Sequence, residues 1–266
     1  MNKTIAIAGL GWLGLSFAQR LMMLGYSVKG SVTTSKKAAS LKSKGFDAYD
    51  VEISEQGITG KTQELLSGAD VLVIMIPPGI RRNTGADFVL KMSHFLEEIQ
   101  KSEMKKVILI SSTSVYGDAQ GEVDESDFPK PDAENGRQLF QVEQLFYNAP
   151  NLKTSIVRFG GLIGASRQPV RYLAGRKGLS GGSAPVNLIH REDCIGILLK
   201  IIQKDIFGKI FNAVAPQHPS KADYYINKAK QMELEPPSFV EEMEKYKTVD
   251  SRNLKGILDY SFLKEI

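Results

Sequence analysis

Gly9-Leu10-Gly11-Trp12-Leu13-Gly14, set directly after the apolar run Thr4-Ile5-Ala6-Ile7-Ala8, constrains this chain more than any other stretch. Leu13, Phe17, Leu21 and Leu24 then recur at helical spacing, and Gly25 ends the segment. The order is strand, tight glycine turn, helix. The first glycine permits the turn, the second lets backbone approach a pyrophosphate, and the third lets helix and strand pack closely. The helix start adds free N–H groups and the positive end of its dipole. Gly9, Gly11, Trp12, Leu13 and Gly14 are therefore expected to contact a dinucleotide.

The next strand, over residues 27–32, bears on which dinucleotide. An Asp or Glu about 20 residues past the glycines would bind a ribose 2′-hydroxyl and repel a 2′-phosphate. None occurs between Gly14 and Asp47. The chain instead reads Gly30-Ser31-Val32-Thr33-Thr34-Ser35-Lys36-Lys37, hydroxyls followed by cations, which can donate to a phosphate and neutralise it. NADP is expected in preference to NAD, with Ser31, Thr33, Thr34, Ser35 and Lys36 near the 2′-phosphate. The same stretch also reads as a helix N-cap at Thr34 or Ser35 with a solvated lysine face behind it.

Strand and helix signals then alternate. Residues 46–51, 70–76, 106–110 and 154–159 read as apolar strands, and 61–67, 88–100 and 132–147 as helices. That alternation predicts an α/β protein of Rossmann type, a doubly wound parallel sheet covered on both faces. Pro77-Pro78-Gly79 breaks the chain after a strand, at the carboxyl edge where cofactors lie, so Ile76, Pro77 and Ser111 join the expected cofactor contacts. Residues 160–185 are rich in Gly, Ser and Arg and read as a long irregular segment of the kind that is usually functional. A strand at 186–189, helices at 191–203 and 221–232 and a strand at 209–213 follow. The expected division is a nucleotide-binding domain over 1–159, then a mixed segment over 160–266 that completes the sheet and forms a small C-terminal cap subdomain.

The net charge of +4 helps attract a phosphate-bearing ligand but is far from a nucleic-acid footprint. A single cysteine, Cys194, excludes an intrachain disulfide and fits a reducing compartment. The apolar N-terminal run could pass for a signal peptide, but its glycine spacing argues for the turn just described and for a cytoplasmic protein. No apolar run reaches the ~18 residues of a membrane span. His94, His190 and His218 are scattered and there is no cysteine cluster, so no metal site is expected. The implied partner is a small-molecule substrate, with neither nucleic acid nor membrane, and the oligomeric state stays open.

Four further stretches carry a family resemblance: Ile110-Ser111-Ser112-Thr113-Ser114-Val115-Tyr116-Gly117, Arg158-Phe159-Gly160-Gly161-Leu162-Ile163-Gly164, Asn187-Leu188-Ile189-His190-Arg191-Glu192-Asp193 and Ile210-Phe211-Asn212-Ala213. With the glycine turn, they make the chain resemble the extended short-chain dehydrogenase/reductases, the superfamily of sugar-nucleotide epimerases and dehydratases. By position, Ser112 matches the serine or threonine that binds a substrate oxygen, though a hydroxyl there can also cap the strand end. Glu143 matches the family's helix glutamate. Counting back from it, the slots of the family's catalytic Tyr-x-x-x-Lys pair hold Asn135 and Leu139. Neither side chain exchanges a proton near neutral pH, so the family's acid/base step lacks its usual agents. The spacing does occur at Tyr224/Lys228 and Tyr260/Lys264, far from that helix.

The resemblance thus implies an atypical member. Ser112 and Tyr116 are the candidates for orienting and polarising a reacting oxygen, with packing as the alternative role of Tyr116. Arg137, Arg167, Arg171 and His190 are the candidates for holding substrate, against the alternatives of solvated surface and, for His190, a structural hydrogen bond. Cys194 reads as buried packing rather than a nucleophile. An NADP(H)-dependent oxidoreductase or epimerase-like enzyme on a small polar substrate, with sugar-derived and phosphorylated compounds as the options, is the leading expectation. A non-catalytic NADP(H)-binding sensor or partner-binding protein is the rival. Gly9-Leu10-Gly11 with Ile76-Pro77-Pro78-Gly79 also resembles the β-hydroxyacid dehydrogenases. Those follow the nucleotide domain with a long all-helical domain, and the strand signals at 154–159 and 209–213 oppose that.

Overall fold

The computed structural model describes residues 3–79, 87–240 and 245–266. In chain order the elements are β1 (Thr4–Ala8), α1 (Trp12–Met23), β2 (Ser27–Val32), α2 (Ser35–Lys42), β3 (Asp47–Ser54), β4 (Gly57–Gly60), α3 (Thr62–Leu66), β5 (Val71–Ile74), α4 (Phe88–Gln100), β6 (Lys106–Ser112) and β7 (Gly121–Val123). They continue with α5 (Glu134–Tyr147), β8 (Lys153–Phe159), β9 (Gly161–Ile163), α6 (Val170–Leu173), β10 (Leu188–His190), α7 (Arg191–Gln203), β11 (Ile210–Ala213), α8 (Lys221–Gln231), β12 (Lys247–Val249) and α9 (Arg252–Gly256).

An eight-stranded sheet in the order β11-β8-β6-β5-β1-β2-β3-β4 forms the centre. β1 is buried along both faces. Ile5 and Ile7 join a core under α1 and α7, while Ala6 and Ala8 join a second core under α3, α4 and α5. Val71 and Val73 against Leu72 and Ile74 repeat that division in β5. Period-two alternation with both faces apolar is what a doubly covered parallel sheet requires. The sheet departs from the all-parallel expectation at one edge, where β4 folds back antiparallel on β3.

From β1 the chain builds outward through β2 and β3, then crosses back to β5 on the other side of β1. The crevice at the carboxyl ends of β1 and β5 is therefore the topological switch point, where ligands of such sheets bind. β11, from the C-terminal part of the chain, pairs with β8 and extends the sheet. Among the described residues no long helical domain follows β5. Residues 160–185 are largely irregular as expected, interrupted by β9 and the single-turn α6. The strand expected at 186–189 forms as β10, but its parallel pairing with β9, and the β7–β12 pair, were not legible beforehand. Both sit beyond the carboxyl end of the main sheet's β6–β8–β11 half and shape the site there.

Candidate functional site

At the glycine turn each residue has a distinct physical demand. Gly9 has φ +111°, and a side chain there would meet the Met75 carbonyl at 3.0 Å. A Cβ on Gly14 would lie 2.1 Å from the Gly9 carbonyl oxygen, so only glycine lets α1 approach the turn this closely. Gly11 differs, since nothing lies within 4 Å of its absent Cβ. It occupies the N-cap of α1 and supplies no side-chain cap, which leaves the first N–H groups of the helix facing that open space. Ile76 and Pro77 follow β5 beside this turn, tied by the Met75 amide donating to the Ala8 carbonyl.

The flank of α1 carries two cations. The guanidinium carbons of Arg167 and Arg191 lie 5.6 and 5.5 Å from the Trp12 ring centroid. Arg191 also donates to the Ser16 hydroxyl. The Trp12 indole N–H is buried with no partner. Arg167 thus belongs to the glycine turn rather than to a substrate cavity, and Arg191 was missed because its motif drew notice only as part of a family pattern.

Beyond β2, hydroxyls expected at a 2′-phosphate have structural partners. The Ser31 hydroxyl is buried and accepts from the Gly9 amide at 3.1 Å. Thr34 caps α2, accepting from the Lys37 amide. Ser35 donates to the Asp50 carboxylate at 2.8 Å, and this bond holds the Asp50 carboxyl below its ordinary range. Thr33 and Lys36 are exposed at the same edge.

The second part of the site gathers around Ser112, at the carboxyl end of β6. Its hydroxyl accepts from the Ser114 amide at 3.2 Å, which leaves its own proton free to donate. The neighbouring Ser111 and Ser114 hydroxyls are buried without partners. An unsatisfied buried hydroxyl costs about 1–3 kcal/mol, so two beside the half-buried Ser112 hydroxyl mark a place built to meet another polar group. Ser112 opens on a cavity of about 450 Å³ lined also by Asn187, Lys221, Tyr225, Tyr246 and Lys247. Burial pushes the Tyr225 phenol above its ordinary value, so it stays protonated and able to donate.

Tyr116 does not reach that cavity. It is 1% exposed, accepts from Arg158 at 2.7 Å and donates to the Asp124 carbonyl at 2.8 Å. Burial pushes its phenol up, against the pull of Arg158. Arg158 in turn forms a fully buried ion pair with Glu143 at 2.6 Å. The structure therefore gives Tyr116 its packing role, as a brace between β6, β8 and α5. On α5, Leu139 is buried in the core and Asn135 is partly buried near the helix start.

The other substrate candidates are also dispersed. Arg137 pairs with Glu134 at 2.9 Å on an exposed face, because both sit on the first turn of α5. Arg171 is exposed on α6. His190 caps α7, its Nδ1 accepting from the Glu192 amide, and burial holds its imidazole below the ordinary value. Cys194 is fully buried, and burial raises its thiol well above the usual range. Among the described residues no helix is long and apolar enough to cross a membrane.

Residues 4–125 match the family described as the NAD binding domain of 6-phosphogluconate dehydrogenase. Over 98% of its length the chain is 34% identical to Protein YeeZ of Escherichia coli (strain K12), covering 96% of that protein. In fold it is similar to UDP-glucuronic acid 4-epimerase from Bacillus cereus in complex with UDP-glucuronic acid and NAD. There the TM-score is 0.81 at 21% identity, covering 98% of this chain and 95% of that one. It is likewise similar to UDP-glucose 4-epimerase of Thermotoga maritima with UDP-glucose, at TM-score 0.80 and 15% identity, covering 98% and 94%. The chain belongs to the family of Protein YeeZ, carries an NAD(P)-binding domain and has the Rossmann-type fold of the epimerases.

Proposed function

We propose that this member of the YeeZ family is an NADP(H)-dependent oxidoreductase or epimerase-like enzyme, an atypical relative of the extended short-chain dehydrogenase/reductases, acting on a small polar substrate held against Ser112. The uncapped start of α1, open at Gly11 and closed at Gly9 and Gly14, carries the reading. Its free N–H groups would hold the pyrophosphate, with Arg167 and Arg191 alongside. Lys36 and Thr33 would meet the 2′-phosphate, while Asp50 at the same edge opposes it. Bound nicotinamide supplies or accepts hydride.

The chain's own task is to place the substrate and manage a proton. Ser112 would donate a hydrogen bond to the reacting oxygen, and Tyr225, a protonated phenol lining the same cavity, would pass the proton. Residues 1–159 would bind the cofactor and 160–266 would close the substrate side. The rival reading is a non-catalytic NADP(H) sensor. It draws on the burial of Tyr116 and Leu139, which leaves β6 and α5 without an exposed acid/base pair among the residues expected to provide one.

Calorimetry with NADP(H) and NAD(H), followed by NADPH oxidation over a carbonyl panel, tests these statements. NADPH should bind at least tenfold more tightly than NADH, and at least one carbonyl should be turned over. Heat from neither nucleotide would end the reading. Tight NADPH binding with no turnover across the panel would transfer it to the sensor.

A further inference from the structure

The cavity beside Ser112 has a charge pattern that neither the fold nor the cofactor requires. Among the described residues, three lysines, Lys221, Lys245 and Lys247, line it against a single carboxylate, Asp118. Asp118 is already engaged, at 3.0 Å from the Lys247 ammonium. Lys221 and Lys245 have no acidic partner among the described residues. Clustered like charges repel one another, and repulsion of this kind is normally relieved by a counterion or removed by substitution.

Lys221 is also at the wrong end of its helix. It is the first residue of α8, where the macrodipole disfavours a cation. Its position is nonetheless firmly set. Ser220 caps the helix by accepting from the Asp223 amide, and the Lys221 and Ala222 amides donate to the carbonyls of Ala184 and Gly182. These backbone donors are therefore occupied, and the positive charge offered to the cavity comes from the side chain. Lys245 and Lys247 line the same cavity from the segment that leads into β12. A local rule broken with no structural gain is the usual mark of a functional position.

We propose that this cavity binds the phosphate group of a small phosphate-bearing substrate, held by Lys221 and Lys245 beside the Lys247–Asp118 pair, with the substrate's reacting oxygen directed to Ser112. Ammonium groups act as point charges suited to a tetrahedral dianion, whereas the lining holds no arginine fork of the kind that matches a planar carboxylate. A volume of about 450 Å³ lies toward the small end of ligand pockets. The inference deepens the enzyme reading above and rests on it for the role of Ser112, but its binding step needs no cofactor.

The test uses the full chain and glycerol 3-phosphate as the probe, with glycerol and 4-hydroxybutanoate as neutral and carboxylate controls. Calorimetry should show glycerol 3-phosphate binding at least tenfold more tightly than either control. Lys221→Gln and Lys245→Gln should each weaken it about tenfold, while NADP affinity and the melting temperature stay unchanged. Equal affinity for 4-hydroxybutanoate, or unchanged phosphate binding in the Lys221→Gln/Lys245→Gln double variant, would overturn the proposal. So would no probe binding by a preparation that binds NADP normally. Probe binding by a preparation that binds no pyridine nucleotide would instead sink the cofactor reading and support the phosphate subsite.

Discussion

The glycine turn and the Ser112 cavity lie on the same carboxyl edge of one sheet, yet they are built in opposite ways. Within the turn, each constraint comes from a neighbour close in sequence or from the adjoining strand: Gly14 against Gly9, Gly9 against Met75, Ser31 beneath the Gly9 amide. The cavity is assembled from residues 112–114, 118, 161, 184–188, 221, 225 and 245–247, which meet only in the folded chain. Behind it stands the buried network of Glu143, Arg158 and Tyr116. A phosphate-binding turn needs backbone geometry, which short motifs encode. A substrate cavity needs particular side chains at particular places, which only the tertiary fold supplies.

Breaking the long-range brace should show the largest effect. Arg158→Met leaves the Glu143 carboxylate fully buried without its partner, a change that costs about 3–5 kcal/mol. Urea denaturation should register it as a lower midpoint at unchanged slope. Removing both charges in Arg158→Met/Glu143→Gln should cost less than the sum of the single changes. A loss below about 1 kcal/mol for Arg158→Met would show that the substrate side does not depend on this network, and the contrast drawn above would fail.

The turn can be split by its own glycines. Gly14→Ala sets a methyl 2.1 Å from the Gly9 carbonyl, so α1 must move, at a cost of about 2–3 kcal/mol and with loss of cofactor binding. Gly11→Ala meets open space at a permitted φ of −87° and should change stability by less than about 1 kcal/mol. The methyl would still stand where phosphate approaches, so NADPH affinity should fall about tenfold, equivalent to ~1.4 kcal/mol. Melting and titration of the two variants side by side separate the glycine that shapes the turn from the one that admits a ligand.

What the sequence disclosed follows the same division. The strand, turn and helix at residues 4–23, the alternation of elements and the added strand at β11 were all legible, because apolar periodicity and glycine spacing are local signals. β10 was read as the short strand at 186–189, but its pairing with β9 and the whole β7–β12 pair were not, since three-residue strands carry too little pattern. Tyr116 looked available because it follows a strand end. The arginine in the apolar second half of β8 and the glutamate on the buried stripe of α5 were the clue that a polar network waited there to take its hydroxyl. Lys221 and Tyr225 escaped notice for want of a motif. A lysine directly after the capping Ser220 was nonetheless a visible anomaly.

The smallest effect concerns pH, and it again divides the two regions. The turn itself contains no titratable group, whereas the substrate side carries Glu125. Its Oε1 accepts from the Asn212 amide at 2.8 Å and the Asn253 amide at 3.2 Å, and its Oε2 is buried without a partner. Burial pushes this carboxyl up to about 7, against the lowering influence of those amides. Between its ordinary value of 4.5 and about 7 the unfolded chain has released a proton that the folded chain retains. The folded state therefore binds more protons in that window, and stability must fall as pH rises through it, then level off above about 7. At about 1.4 kcal/mol per unit, reduced because the group is partly accessible, the loss should be of order 1–2 kcal/mol. Glu125→Gln keeps the accepting oxygen and cannot ionise, so its stability should stay flat over the same window. Urea midpoints at pH 5, 6, 7 and 8 decide the matter: parallel curves for the two proteins would mean that Glu125 is ionised in the folded chain at pH 5, and that the substrate side tolerates its charge.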